Sequence, residues 1–186
     1  MKICVYCSSS KKLNGKYYAA GLDFGRALAR RGHSLIYGGY GEGIMGQVAR
    51  GVSGCGGKIT AVVPRIFDRP DFIYGNCAEI VKTADMRSRK QTMECLADCF
   101  AVLPGGIGTL DEMFEACCLN ILGELKKPLG ILNTAGFYDP LREMMEKCAR
   151  EGFLNYGNAE LRFFDTAEAL LDALEASAGG RRTDQS

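Results

Sequence analysis

Short apolar runs and amphipathic stretches alternate along the whole chain. The runs at residues 3–7, 34–37, 58–63, 99–103 and 129–132 predict strands, and weaker ones at 79–82 and 162–164 predict two more. Residues 16–30, 44–52, 85–98, 109–122, 138–150 and 166–176 repeat their apolar positions near the helical period and predict helices. Residues 65–76 show no period and predict a loop over the sheet. Such alternation calls for a mostly parallel sheet with helices on both faces, an α/β three-layer sandwich. No repeat or linker interrupts it, so residues 1–176 are expected to form one domain. The small, polar residues 177–186 are expected to be a disordered tail.

Two glycine-rich loops directly follow strands. Both therefore belong at the carboxyl edge of the sheet, where ligands of such folds bind. The first is Gly38-Gly39-Tyr40-Gly41-Glu42-Gly43-Ile44-Met45-Gly46. It follows the second strand and lacks the spacing of a dinucleotide fingerprint. It reads either as a pocket wall with a phosphate role, Gly39 included, or as a tight turn that needs glycine. The second loop is more informative. In Leu103-Pro104-Gly105-Gly106-Ile107-Gly108-Thr109-Leu110-Asp111-Glu112, a buried strand runs into proline and three glycines, and then into a helix. Glycine lets backbone amides approach a ligand closely, and a helix start offers free N–H groups and a partial positive charge. The segment from Gly105 to Asp111 reads as a phosphate cradle with Glu112 one turn inside it. Thr109 to Glu112 is also T-x-x-E, a capping box in which Glu112 would fold back onto the Thr109 amide and serve only the helix.

The helix over 85–98 bears on that choice. At about 100° per residue, Met86, Met93, Leu96 and Ala97 share one stripe, Arg89 falls inside it, and Lys90 lies on its edge. Arg87 and Glu94 face away, as solvated charges do. A guanidinium on an apolar face is costly unless paired, so Arg89 needs a carboxylate or a phosphate. It serves either an internal salt bridge or a pocket that Arg89 and Lys90 enter opposite the cradle.

Charge and composition narrow the chemistry. A net charge of +1 gives no bulk basic field for a nucleic acid polymer. No apolar run is long enough to span a bilayer, and the first residues enter a strand pattern without a signal peptide, so the cytoplasm is expected. Nine cysteines scattered through strands and helices read as thiols rather than a disulfide framework. Cys4 and Cys7 form a CxxC, but on a strand they point to opposite faces. No zinc-ligand spacing accompanies them, and no metal is expected. The single histidine, His33, stands in a turn and reads as surface; its solitude argues against His-dependent triads.

Two segments together resemble the LOG (lonely guy) family. They are Met86-Arg87-Ser88-Arg89-Lys90-Gln91-Thr92-Met93 and the run from Pro104 to Glu112. Tyr37-Gly38-Gly39, Met45-Gly46, residues 127–133 and Glu151-Gly152-Phe153 also look like family segments. Family members are cytokinin riboside 5′-monophosphate phosphoribohydrolases, many of them long named as lysine decarboxylases. That name implies pyridoxal phosphate on a lysine Schiff base, and no residues here pick out such a constellation.

The resemblance implies a Rossmann-like homodimer without metal or organic cofactor that cleaves the N-glycosidic bond of a nucleoside 5′-monophosphate. Carried over by position, Arg89 and Glu112 match the catalytic pair. Lys90 and the residues Gly106, Ile107, Gly108, Thr109, Leu110 and Asp111 match nucleotide-binding positions. Asp71 falls where a ribose-contacting glutamate is usual, and Cys118 where a ligand-contacting threonine is. Three departures stand out: Arg87 for histidine, Tyr40 for a frequent glycine, and Cys118-Leu119 for a Thr-Trp pair. They leave the bond-cleaving parts in place and bear on the favoured base, N6-modified adenine or plain AMP.

Such a cleavage passes through an oxocarbenium-like ribosyl cation. Cradle amides, Thr109 and Lys90 would anchor the phosphate, Glu112 would serve the cation and the water, and Arg89 would steady Glu112 and the departing charge. Two other readings share the same residues: a nucleotide-binding or carrier module without turnover, and a broader nucleotide nucleosidase. Met113, Cys117, Ile121 and Leu125 form a stripe that could meet a partner subunit or cover the sheet.

Overall fold

A computed structural model describes residues 1–154 and 161–179. Among these residues, seven strands and six α-helices follow one another. In chain order they are β1 (Lys2–Tyr6), α1 (Gly15–Arg30), β2 (Ser34–Tyr37), α2 (Gly43–Gly54), β3 (Ile59–Pro64), β4 (Glu79–Thr83), α3 (Met86–Leu96), β5 (Cys99–Val102), α4 (Ile107–Ile121), β6 (Leu129–Leu132), α5 (Asp139–Arg150), β7 (Arg162–Phe164) and α6 (Ala167–Gly179), with only a single 3-10 turn between β3 and β4. The sheet order is β4-β3-β2-β1-β5-β6-β7, and every pairing is parallel. A lone antiparallel bridge, Tyr40 to Ile73, lies outside the strands. The expected mostly parallel α/β sandwich is therefore wholly parallel within its strands.

Period-2 alternation on these strands feeds two cores. Ile3, Val5, Leu35, Tyr37, Ala61 and Val63 face α1, α2 and α6. Cys4, Tyr6, Ile36, Val62, Phe100 and Val102 face α3, α4 and α5. Cys4 and Cys7 fall in different cores, as strand geometry requires, and both are buried thiols.

Chain direction reverses its march across the sheet at β1, which lies between β2 and β5. The β1 and β5 carboxyl ends thus form the crevice of a strand-order switch. The two loops leaving it are tied together: the Ser8 amide donates to the Pro104 carbonyl at 3.1 Å, and the Leu103 amide to the Tyr6 carbonyl at 2.9 Å. The Tyr138 hydroxyl donates to the Leu103 carbonyl at 2.9 Å and fixes the strand end from below.

Three expectations need correction, and one alternative left open is narrowed. α4 begins at Ile107, two residues before the expected Thr109, because Gly106 serves as N-cap. α6 runs to Gly179, three residues into the expected tail; the rest of that segment, 180–186, lies outside the described residues. His33 is not a surface turn residue. Its ring is nearly buried, with Nε2 2.7 Å from Glu175 Oε1 and Nδ1 3.3 Å from the Met1 amine. Arg31 also reaches Glu175 and Asp172, so turn, N-terminus and α6 share one polar cluster. Finally, Met113 and Cys117 are buried against the sheet, whereas Ile121 is 42% exposed. The α4 stripe mainly covers the sheet, and only its far end meets solvent.

Candidate active site

α4 has no side-chain cap at its N-terminus. The amides of its first turn, from Ile107 through Thr109, are the orphan donors of a helix start and carry the positive end of its dipole. The cradle is shaped by Gly105: a Cβ there would lie 2.1 Å from Thr109 Oγ1. Any larger residue would push the loop off the helix it feeds. Thr109 is thereby buried in the third helical position. It caps nothing, and the T-x-x-E capping box does not form.

Glu112 turns inward instead. Its Oε1 lies 3.0 Å from Arg89 Nη1, and both side chains are close to buried. Arg89 is the paired guanidinium its stripe demanded, 7% exposed, with Nε donating to the Val62 carbonyl at 3.2 Å. Its third side packs on Gly38, where a Cβ would sit 1.9 Å from Nη2. So the first glycine loop is shaped to admit the arginine. Burial raises the Glu112 carboxyl above its usual range, and Arg89 pulls it back only in part. The pair is ionic, buried and open on one side, the condition in which a carboxylate acts on a bound reactant.

That open side is a cavity of about 650 Å³ at the β1–β5 switch. Gly106, Gly108, Thr109, Asp111, Glu112 and Arg89 line one end of it. Asp71, 77% exposed in its side chain, stands at the mouth beside Arg69. A larger hollow of about 770 Å³ lies between α5 and β7 but touches neither glycine loop.

Several expected site residues are elsewhere. Lys90 does not enter the cavity; it bonds Asp111 at 3.0 Å and also pairs with Glu115. These two carboxylates raise its pKa, Glu115 foremost. Ile107 is 88% exposed, so it offers backbone rather than side chain. Leu110 packs on the second core. Cys118 is exposed on α4 and lies outside the cavity. Gly39 is buried, its φ of +87° set by the turn, and its carbonyl accepts from the Tyr74 amide at 2.9 Å. Of the two readings of the first glycine loop, turn geometry accounts for Gly39, while Gly38 and Tyr40 form wall.

Sequence reasoning also missed lining residues. Ser8, Ser9, Ser10 and Lys11, the loop after β1, border the cavity, as do Phe67 and Phe72. The serine run directly follows a first strand, and that place at the carboxyl edge of the sheet was the signal that could have marked it. No comparable signal marks the two phenylalanines, which reach the site from a loop without period.

The family described as "Possible lysine decarboxylase" matches residues 45–174. The cytokinin riboside 5′-monophosphate phosphoribohydrolase LOG of Oryza sativa subsp. japonica is 38% identical over 153 residues, 82% of this chain and 63% of that protein. The Arabidopsis thaliana cytokinin riboside 5′-monophosphate phosphoribohydrolase LOG5 is 36% identical over 176 residues, 94% of this chain and 77% of that protein. Among solved structures, the molybdenum cofactor carrier protein of Chlamydomonas reinhardtii superposes with a TM-score of 0.72 over 96% of this chain and 98% of its own, at 18% identity, a likeness of fold alone. The matches along most of the sequence lead to one assignment: this chain belongs to the LOG family.

Proposed function

We propose that this protein hydrolyses the N-glycosidic bond of a nucleoside 5′-monophosphate, a cytokinin riboside 5′-monophosphate or AMP, to free base and ribose 5-phosphate. One observation carries the reading: a buried Arg89–Glu112 pair faces a cavity whose floor is an uncapped helix start. The monoester phosphate sits on the amides of residues 106–109, with the Thr109 hydroxyl beside them. Asp71 lies where the ribose hydroxyls would reach the mouth. Anchoring the phosphate places C1′ near Glu112, so binding energy from a non-reacting group positions the reacting one.

The bond from C1′ to the base nitrogen then breaks through a ribosyl cation. The Glu112 carboxylate stabilises that cation and takes a proton from the entering water. The hydroxyl bonds to C1′, and the proton passes to the base. Arg89 holds Glu112 in place and offsets charge on the departing base or the phosphate. No metal or organic cofactor enters this scheme.

Incubation with AMP, other nucleoside monophosphates and N6-isopentenyl-AMP, followed for free base and ribose 5-phosphate, tests the proposal. Base release is expected, and the ratio of rates across bases separates a cytokinin enzyme from a broader nucleosidase. Tight binding without release from any nucleotide would favour a carrier instead. We also propose a cytoplasmic homodimer. Its support is the family resemblance together with Ile121 and Leu122, 42% and 71% exposed at the end of α4. Light scattering should give twice the mass of the chain, and Leu122→Lys should reduce it.

A further inference from the structure

Part of the cavity lining is aromatic. Phe72 lies between Tyr40 and Phe67, with ring centroids 4.4 Å and 4.8 Å away and planes inclined by 29° and 5°. All three rings line the cavity. Their backbones are fastened: the Gly41 amide donates to the Phe72 carbonyl at 3.0 Å, the Tyr74 amide to the Gly39 carbonyl at 2.9 Å, and Arg50 Nη1 to the Gly41 carbonyl at 3.0 Å. The segments that carry Tyr40 and Phe72 are thus tied to each other. Tyr40 ends the stack on one side, and the exposed Lys11 ammonium stands 5.9 Å from its ring centroid.

Resting on the nucleotide reading above, we infer that Tyr40 is a specificity-determining residue whose ring extends this stack onto the base of the substrate, favouring purine over pyrimidine nucleotides. A flat π-face recognises bases by stacked area rather than by hydrogen-bond pattern, and a purine offers more area than a pyrimidine. The lining divides the labour: the cradle holds the phosphate, Glu112 and Arg89 beside it serve C1′, and the stack receives the base. The exposed Lys11 side chain, which lies over the Tyr40 ring, swings aside for that base, and the loop of Ser8 to Ser10 lines the same cavity.

Steady-state kinetics of Tyr40→Ala and Tyr40→Phe with AMP and CMP test this, with ribose 5-phosphate as a competitive inhibitor. Tyr40→Ala should raise KM for AMP about tenfold, narrow the preference for AMP over CMP by a similar factor, and change kcat less than threefold. Tyr40→Phe should restore the wild-type values. The inhibition constant of ribose 5-phosphate, which has no base, should be the same in all three proteins. An unchanged KM in Tyr40→Ala overturns the inference. Equal weakening of AMP and ribose 5-phosphate also overturns it, because Tyr40 would then only fasten two loops. Wild-type protein that releases no base from any nucleotide defeats the functional reading itself, a result distinct from either.

Discussion

Arg89 and Glu112 depend on each other, and that dependence dictates how they should be tested. Truncating either strands the other charge in a nearly dry setting, a change that typically costs ~3–5 kcal/mol. Loss of activity in Glu112→Ala would then mix chemistry with folding. Glu112→Gln keeps an acceptor for Arg89 and removes the carboxylate. It should lower kcat by ~10²–10⁴-fold while the melting temperature moves little, as followed by base release and thermal unfolding. The acid side of the rate profile carries a second expectation. Burial raises the Glu112 carboxyl, and the ionised form is the active one. Activity should therefore fall with decreasing pH at a higher pH than an ordinary glutamate, near 4.3, would give. Arg89 was legible because a charge on an apolar stripe has few explanations. Glu112 was ambiguous because the helix start was not legible: Gly106 caps through its backbone, and nothing in a glycine run marks which residue is first. Lys90 misled for a related reason. Periodicity put it on the stripe's edge, but Asp111 and Glu115 on a helix distant in sequence claim its ammonium.

The contact of α3 with its flank explains the sharpest misreading among the elements. Glu94 was expected in solvent and is 6% exposed. A single-helix period sees one covered face, the one on the sheet. It does not see Lys127, whose ammonium donates to the Glu94 carbonyl at 2.7 Å and closes the end of α3. One carboxyl oxygen of Glu94 is left without a hydrogen-bond partner. Burial, with Glu115 adding to it, raises this carboxyl to about 7. The sign follows from linkage: a folded-state pKa above the unfolded one makes the native state prefer the proton. The contribution is intact below about pH 4.3, the unfolded value, and is lost as pH rises towards about 7. Glu94→Gln should flatten that decline and gain on the order of 1 kcal/mol at pH 8, with little difference at pH 4, as read from urea unfolding at both. The polar cluster of the β2 turn, the N-terminus and α6 pairs its charged groups instead. His33, Arg31 and Glu175 find partners across 140 or so positions of sequence, and Glu175→Ala should cost about 1 kcal/mol. No local pattern reveals such a tie, because a histidine in a turn looks the same with or without a distant carboxylate.

The order of elements was legible throughout, since five strands are continuous apolar runs, β4 and β7 are weaker ones, and the helices repeat their apolar positions. The order of strands was not, and it decides where the site is. Placing β1 between β2 and β5 brings Ser8–Lys11, the 38–43 loop and the α4 start to one crevice. Three separate parts of the chain thus converge on one ligand position, and a ligand held there should stabilise the fold beyond its own contacts. Ribose 5-phosphate at a hundred times its dissociation constant should add about 2.7 kcal/mol by mass action. For a chain of this size each kcal/mol moves the midpoint by roughly 2–4 °C, so a rise of about 5–11 °C is expected in thermal unfolding. Gly105→Val should abolish it, because the added Cβ collides with Thr109 and spoils the cradle. Glu112→Gln should keep it, because the phosphate is gripped by amides that the substitution leaves alone. A rise that survives Gly105→Val but not Glu112→Gln would put the phosphate on the Arg89 side of the cavity, and the division of labour between cradle and ion pair would have to be reversed.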